Sequence, residues 1–256
     1  MSPDASAALR KHLPELNSAG GLLKLFGIPL LLFLAVTAFF IAEDRGSQIW
    51  LLDGEVVIGT LGFLLARRFI RSRDDFVARF GSRAYSVAAR RYLFPGLALI
   101  FAVVARMGYI PGPLVPRLWW YPYLTALGWL ALVTGALLWV QSVRAFGFDN
   151  LTMLYVYFPE EGPLVQHTIY DILRHPVYGA VQRVAAGLAL LNGSWFGLTC
   201  ALFLALGFWG WVRLVEEREL LQRFGKAYEE YRRRVPAFWP RPRDLPRFWR
   251  FLFSGK

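Results

Sequence analysis

The chain has 256 residues, of which 56% are hydrophobic and 16% aromatic, and its formal net charge is +11. Repeated apolar runs of about 17–25 residues exclude a single soluble domain, because soluble helices alternate polar and apolar faces. The positive charge lies in loops beside those runs, which is typical of cytoplasmic membrane flanks and not of a nucleic-acid-binding protein. The single cysteine lies within an apolar run, which excludes disulfides and a multi-cysteine metal site.

The apolar runs predict an all-α polytopic membrane helix bundle of about six spans. In chain order the predicted spans are 25–42, 50–66, 92–110, 119–143, 177–191 and 195–214. The loop 67–91 carries about eight arginines against two aspartates, so we expect it, and with it both chain termini, on the cytoplasmic side. The excess of arginine over lysine indicates a GC-rich bacterial genome, and we therefore expect a bacterial inner membrane protein.

The spans and their flanks suggest four parts: a cytoplasmic arm (1–20), a four-span scaffold (21–143), a region with a two-span hairpin and a C-terminal helical segment (144–240), and a tail (241–256). The tail interleaves arginines with Phe and Trp beside a membrane. That pattern suits an anionic lipid surface, so membrane lipids are expected partners, and a merely solvated basic tail is the alternative.

Ionisable residues inside the predicted spans are few. Arg106 lies near the far end of the third span, where its side chain can snorkel to the interface. Arg183, about 10 Å into the fifth span, can equally be a functional residue or a snorkelling one. Asp53 and Glu55 lie by the outer face, and we favour a structural role for both.

Two polar segments flank the hairpin of the fifth and sixth spans, which holds them on the same side of the membrane. The first is Arg174-His175-Pro176-Val177-Tyr178-Gly179, shortly after Tyr170, and the second is Glu216-Glu217. Together they supply an imidazole, a guanidinium, aromatic rings and carboxylates, a set that can hold a cationic, ribose-bearing ligand. No dinucleotide-binding, Walker or zinc motif occurs in the sequence, and no metal is expected.

Beyond the second polar segment, Leu220, Phe224, Tyr228, Tyr231 and Val235 recur at three- and four-residue steps and give a helical segment one apolar face. A glycine at position 225 interrupts this pattern. Two short helices meeting there are therefore as acceptable as one continuous helix.

This combination of motifs, closing at Val235-Pro236, resembles the membrane methyltransferases typified by isoprenylcysteine carboxyl methyltransferase. Phosphatidylethanolamine N-methyltransferases share much of the pattern. The resemblance covers roughly residues 160–240 and makes 144–240 a methyltransferase-like catalytic region. It implies that S-adenosylmethionine is held on the cytoplasmic side, while a lipophilic or lipid acceptor enters from the bilayer. The family usually has Gly-Pro-Tyr ahead of the arginine, and here Thr168-Ile169-Tyr170 keeps only the tyrosine.

On this resemblance the cofactor-binding residues are Tyr170, His175, Pro176, Tyr178, Gly179, Glu216 and Tyr231, and the catalytic residues are Arg174, Glu217 and Arg234. A cation (Arg174, or the pair Arg233 and Arg234) would orient an acceptor carboxylate. Glu217 would fix Arg174 or take the proton of an acceptor amine. The residues do not choose between a prenylcysteine-like carboxylate and a phospholipid amine. A sterol-reductase-like, NADPH-dependent membrane oxidoreductase and an inactive lipid-binding relative are the alternatives.

Overall fold

The structure is a computed structural model that describes residues 9–46, 51–146, 152–159 and 168–255. Every regular element within these ranges is helical, which confirms the predicted all-α class. Residue 50, the predicted start of the second span, lies outside the described residues, as do residues 1–8 of the predicted arm and 160–167 of the methyltransferase-like region.

The helices are numbered in chain order, and π-helical turns occur at Ala89–Leu93 and Val212–Glu216. Their bounds are α1 Ala19–Glu43, α2 Leu51–Arg71, α3 Arg73–Phe80, α4 Ala84–Ala88, α5 Phe94–Arg106, α6 Tyr121–Phe146, α7 Leu154–Tyr157, α8 Pro176–Asn192, α9 Trp195–Trp211, α10 Glu217–Phe224, α11 Lys226–Arg234 and α12 Leu245–Ser254.

Four helical stretches among the described residues are long and apolar enough to cross a membrane: Ala19–Glu43, Arg73–Arg106, Tyr121–Ala145 and Trp195–Phe224. They correspond to the first, third, fourth and sixth predicted spans. The other two predicted spans are also helices. However, α2 carries charged residues near both ends, and α8 has 17 residues and includes an arginine. Four of the predicted spans are therefore helices suited to crossing a membrane, and the count of six spans stays a prediction.

The chain divides into two compact units, of which the first comprises Met1–Gly112 and Phe148–Gly162. Its longest helix, α1, begins after Ser18, whose hydroxyl accepts a hydrogen bond from the Gly21 N–H at 3.0 Å. Helices α2 and α5 approach closely at two glycines. A Cβ on Gly62 would lie 3.0 Å from the Gly96 carbonyl oxygen, and the reverse distance is 2.9 Å. Such contacts between small residues are a common way for helices to pack in membranes.

Arg106 at the end of α5 does not extend to the membrane interface, contrary to the sequence-based expectation. Its side chain is fully buried, and its guanidinium lies 2.8 Å from Glu43, 2.7 Å from Asp44 and 3.8 Å from Glu55. It also lies over the Phe40 ring, 4.1 Å from the centroid. The ends of α1 and α2 thus supply counter-charges inside the protein, which removes the need for the arginine to reach water.

The second unit comprises Pro113–Gly147 and Pro163–Lys256. Helix α8 starts with Pro176 at its first position, where a missing N–H costs nothing, and it ends at Gly193, whose φ of +69° is left-handed. Ser194 then caps α9 by accepting a hydrogen bond from the Phe196 N–H at 3.2 Å. A two-residue turn therefore reverses the chain between α8 and α9, as the predicted hairpin requires.

The helical segment after α9 breaks at Gly225, where φ is +55°. Helix α10 ends at Phe224 and α11 begins at Lys226, which confirms the two-helix alternative. Tyr228, Tyr231 and Val235 are buried together. This packing presents α11, and the chain that follows it, to the start of α8.

Candidate functional site

The chain after α11 is tied to the start of α8 by backbone hydrogen bonds. The Arg174 N–H donates to the Pro236 carbonyl at 2.9 Å, and the His175 N–H donates to the Ala237 carbonyl at 3.0 Å. The next residue, Pro176, has no N–H to offer. The two polar segments predicted from the sequence therefore meet within the second unit.

Arg174 and Glu217 form the closest ion pair of the site. Arg174 Nη2 lies 2.6 Å from Glu217 Oε1, and their side chains are 11% and 2% exposed. Arg174 Nη1 donates to the carbonyls of Arg232 and Val235. The guanidinium thus connects α10 to the end of α11, and its planar fork is needed to satisfy these acceptors at once.

His175 is buried between the two glutamates. Its Nδ1 lies 3.4 Å from Glu216, and its Nε2 lies 3.7 Å from Glu217. Burial lowers the pKa of the imidazole, but the carboxylates, Glu216 foremost, outweigh burial and the Arg174 charge, so the pKa is raised above its usual value. The His175 ring also stacks on Tyr178, with centroids 5.9 Å apart.

Aromatic side chains complete the surroundings of His175. Tyr178 stacks on Phe208 with centroids 5.2 Å apart, and its hydroxyl accepts a hydrogen bond from the Trp211 indole at 3.3 Å. The Tyr231 hydroxyl donates to the Tyr170 carbonyl at 2.7 Å, so these two predicted residues hold α11 against the segment that precedes Arg174. Aromatic rings therefore pack against His175 and hold α11 close to the segment before Arg174.

Several buried polar atoms of the site have no hydrogen-bond partner among the described residues. They include His175 Nε2, Glu216 Oε2, Arg174 Nε and the Tyr228 hydroxyl. An unpaired buried polar atom costs about 1–3 kcal/mol. A bound ligand with hydroxyl, amino or carboxylate groups would remove that cost, so these atoms fit a polar cofactor.

A pocket of about 330 Å³ opens beside the Arg174–Glu217 pair, at the lower end of the range of about 300–1,000 Å³ usual for ligand pockets. Its lining contains three arginines and one glutamate, and it also has an aromatic and aliphatic side. The lining residues are Arg174, Trp209, Val212, Arg213, Glu217, Arg232, Ala237 and Phe238.

The sequence-predicted residues are distributed unevenly around this pocket. Arg174 and Glu217 line it, whereas His175, Glu216 and Tyr178 lie in the layer next to it. Pro176 starts α8. Gly179 allows α8 to approach the chain closely, because a Cβ there would lie 3.0 Å from the Phe238 carbonyl oxygen. Arg234 is exposed and is not part of the lining.

Trp209, Arg213 and Arg232 line the pocket but were not singled out from the sequence. The signal for the first two was present, because 209, 213 and 217 are four residues apart and share one helix face. The π-helical turn at Val212–Glu216 lies between them, and such turns are frequent at functional sites. Arg232 had no comparable signal, since it is one of three consecutive arginines.

Arg183 in α8 is 97% buried and does not snorkel. It donates to the Gly179 carbonyl at 2.8 Å and to the Phe238 carbonyl at 3.1 Å, and its guanidinium lies 4.1 Å from the centroid of Trp239. The N–H groups of Arg174 and His175 donate to the carbonyls of Pro236 and Ala237, and Pro176 has no N–H for the next carbonyl. The Arg183 side chain supplies the hydrogen bond to that carbonyl, at Phe238. Arg183 therefore fixes the pocket wall at Phe238.

Comparisons with known proteins agree with the motifs. The family model described as phospholipid methyltransferase matches residues 123–227. A probable protein-S-isoprenylcysteine O-methyltransferase of Oryza sativa subsp. indica is 24% identical over 144 residues, which are 56% of this chain and 74% of the rice protein. Protein-S-isoprenylcysteine O-methyltransferase B of Arabidopsis thaliana is 23% identical over 152 residues, 59% of this chain and 75% of that protein. No solved structure matches the chain significantly.

The apolar helices and these matches define an integral membrane enzyme of the methyltransferase class. The chain is similar to the phospholipid methyltransferases over residues 123–227 and to isoprenylcysteine O-methyltransferases over more than half of its length, as the resemblance drawn from its motifs predicted.

Proposed function

We propose that this protein transfers the methyl group of S-adenosylmethionine to a membrane-embedded lipophilic acceptor at the cytoplasmic face. The observation that carries the proposal is the meeting of Arg174, His175 and the Glu216–Glu217 pair beside an open pocket. S-adenosylmethionine supplies an electrophilic methyl group on a sulfonium. Transfer of such a group requires mainly alignment and a water-poor site, so the protein has little covalent chemistry to perform.

The cofactor is assigned to the layer around His175. Glu216 Oε2 can accept hydrogen bonds from ribose hydroxyls or from an amino group, and His175 Nε2 can bond a polar atom of the ligand. The face of Phe238, which lines the pocket, can accept a positively charged sulfur, and Tyr178 supports this layer through its stacking on His175 and Phe208. We assign Tyr170, Tyr231, Pro176 and Gly179 a positioning role, since their contacts hold the backbone of this layer in place.

The acceptor group is proposed to be anionic. Arg174, Arg213 and Arg232 line the pocket together with a single glutamate, and this excess of positive charge favours a carboxylate or phosphate over a protonated amine. Glu217 is already held by Arg174 at 2.6 Å and lies 3.6 Å from Arg232, which makes it a poor base for an amine. The relatives named above as O-methyltransferases agree with an acceptor that is methylated on oxygen.

Within this arrangement Arg174 and Glu217 have a different role from Arg213 and Arg232. The terminal nitrogens of Arg174 are occupied by Glu217 and by two carbonyls, so this arginine mainly holds the site together. Arg213 and Arg232 lie on the pocket surface and are the cations we assign to the acceptor. Arg234, which the sequence analysis also assigned to the acceptor, lies outside the pocket lining, so Arg213 and Arg232 come before it in our assignment.

Calorimetry on the detergent-purified protein tests the proposal directly. We expect S-adenosylhomocysteine to bind and NADPH not to bind. His175→Ala and Glu216→Ala should each weaken binding by about 10-fold, the scale of one lost buried or charge-assisted hydrogen bond. Glu229→Ala is the matched control, because that glutamate is half exposed, pairs with the exposed Arg233 and lies outside the pocket lining.

Two results would contradict the assignment. Binding of NADPH in place of S-adenosylhomocysteine would favour the sterol-reductase-like alternative. Unchanged affinity in both site variants, with melting temperatures equal to that of the unmodified protein, would move the cofactor away from the layer around His175.

A further inference from the structure

Helix α12, Leu245–Ser254, lies at the end of a membrane span. Gln141 on α6 donates its side-chain amide to the Leu252 carbonyl at 3.3 Å. Gln141 is one helical turn before Ala145, where the apolar stretch Tyr121–Ala145 ends. The C-terminal helix is therefore held where α6 leaves the hydrocarbon region.

One face of α12 is buried within the second unit. Phe248, Phe251 and Leu252 are 4%, 1% and 0% exposed. They pack in one cluster with Ile169, Tyr170, Ile172 and Leu173, the residues directly before Arg174. This inner face explains why α12 is ordered against the protein rather than free in solution.

A second, apolar strip of α12 faces outward. Leu245, Trp249 and Phe253 recur every four residues and so lie along one side of the helix. Leu245 is 41% and Phe253 73% exposed, and the Trp249 and Phe253 rings stack with centroids 6.0 Å apart. Trp249 is partly buried against the inner cluster, and the exposed Leu245 and Phe253 on either side of it are typical of apolar side chains that lie at the membrane interface.

A third strip is basic. Arg247 and Arg250 are three residues apart and lie about 130° around the helix from the apolar strip. Both are exposed, and the ion-pair partners of Arg247 are no closer than 3.8 Å, at Asp171 and Asp244. Arg243, 74% exposed, extends the strip toward the preceding turn. The outer surface of α12 thus combines an apolar strip with a positively charged one.

We propose that the outer surface of α12 binds the anionic phospholipids of the bilayer that contains the protein. The apolar strip would enter the boundary between headgroups and acyl chains, while Arg247 and Arg250 bind lipid phosphates. The inner face of the same helix contacts the residues before Arg174. Lipid binding therefore stabilises the segment that leads into the site, and it does so whether or not the methyl-transfer proposal is correct.

The test is a lipid titration of the full-length protein in detergent, read as melting temperature. Dioleoylphosphatidylglycerol should raise the melting temperature at lower concentration than dioleoylphosphatidylcholine, because ligands that bind the folded state stabilise it. The double variant Arg247→Gln/Arg250→Gln should raise the midpoint of the phosphatidylglycerol titration by about 10-fold or more. Inorganic phosphate at the same concentrations should have no effect.

The matched control is Arg79→Gln/Arg83→Gln, which removes the same charge from two exposed arginines of the first unit. It should leave the phosphatidylglycerol midpoint unchanged. Three outcomes would overturn the proposal: an unchanged midpoint in the α12 double variant, an equal shift in the control, or an equal stabilisation by inorganic phosphate. An unchanged midpoint in the α12 double variant would show that the basic strip does not bind the lipid. An equal shift in the control would show that overall charge, and not this strip, determines lipid binding. Equal stabilisation by inorganic phosphate would show that the strip binds free anions and not the lipid surface.

Discussion

At the scale of single residues, Arg106 is a fully buried guanidinium surrounded by three carboxylates. Glu43 and Asp44 are in close contact with it, whereas Glu55 is 3.8 Å away and neither of its carboxylate oxygens has a hydrogen-bond partner among the described residues. Arg106→Gln should therefore lower the free energy of unfolding by about 3–5 kcal/mol, since it leaves buried carboxylates unpaired. Glu55→Gln should leave that free energy unchanged or raise it. Thermal unfolding in detergent measures both, and an equal loss in the two variants would contradict this reading.

His175 gives the site a defined pH dependence. The neighbouring glutamates raise its pKa in the folded protein above the usual value of about 6.5. The protonated imidazole therefore stabilises the fold fully below about pH 6.5, and this contribution is lost as the pH rises through the raised pKa. We expect the melting-temperature gap between the unmodified protein and His175→Gln to be larger at pH 5.5 than at pH 9. A gap that widens with rising pH would show that the imidazole is held neutral.

Contacts between site residues were predictable from the sequence where a motif and the predicted hairpin indicated the same contact. The hairpin required Arg174 and Glu217 to meet, and they do. Arg106 was misread because its partners Glu43 and Glu55 come from other helices, and no local pattern indicates that they converge on it. The sequence likewise gave no indication that Arg183 would donate to the Phe238 carbonyl.

At the scale of helices, α6 and α8 pack through glycines. A Cβ added at Gly187 would lie 2.7 Å from the Leu132 nitrogen and 2.8 Å from the Gly128 carbonyl oxygen. Gly187→Ala should therefore force the helices apart and cost about 1–3 kcal/mol. Gly210→Ala in α9 is the matched control, because nothing lies within 4 Å of its added Cβ. It should be neutral or slightly stabilising, since alanine favours helix. Equal melting temperatures for the two variants would exclude the close packing.

Helix boundaries followed the sequence signals to different degrees. Pro176, Gly193 and Gly225 end or begin helices where turn chemistry places them. The π-helical turn at Val212–Glu216 was not predictable, because it depends on how the helix after α9 packs and not on its hydrophobic period. The four-residue spacing of positions 209, 213 and 217 was the available signal for that part of the pocket lining, whereas the turn within it had none.

At the scale of the whole molecule, the orientation in the membrane remains a prediction. We expect the arginine-rich segment 67–91 and helix α11 on the cytoplasmic side, and the turn between α8 and α9 on the outer side. Single cysteines introduced in a Cys200→Ser background test this, with Glu230→Cys for the inner side and Trp195→Cys for the outer side; both positions are exposed. A membrane-impermeant reagent added to intact cells should label position 195 only. Labelling of position 230 alone would reverse the orientation.

The class of fold was accessible from hydropathy, because long apolar runs have few stable forms besides membrane helices. The number of spans was not. Helix α2 carries acidic residues at one end and arginines at the other, and α8 has 17 residues, so neither is assigned to the bilayer by length and composition. The anionic acceptor that we propose was equally inaccessible from the motifs alone, since that proposal rests on the charges of the pocket lining.

Transfer of a radiolabelled methyl group from S-adenosylmethionine to an extract of host membranes tests the central claim most directly. The unmodified protein should label a lipophilic product, and Glu217→Gln should lower the rate about 10²-fold at saturating cofactor, because the site loses the group that holds Arg174 in place. Glu229→Gln should keep the full rate. Absence of any labelled product from a protein that binds S-adenosylhomocysteine, or a full rate in Glu217→Gln, would contradict the account.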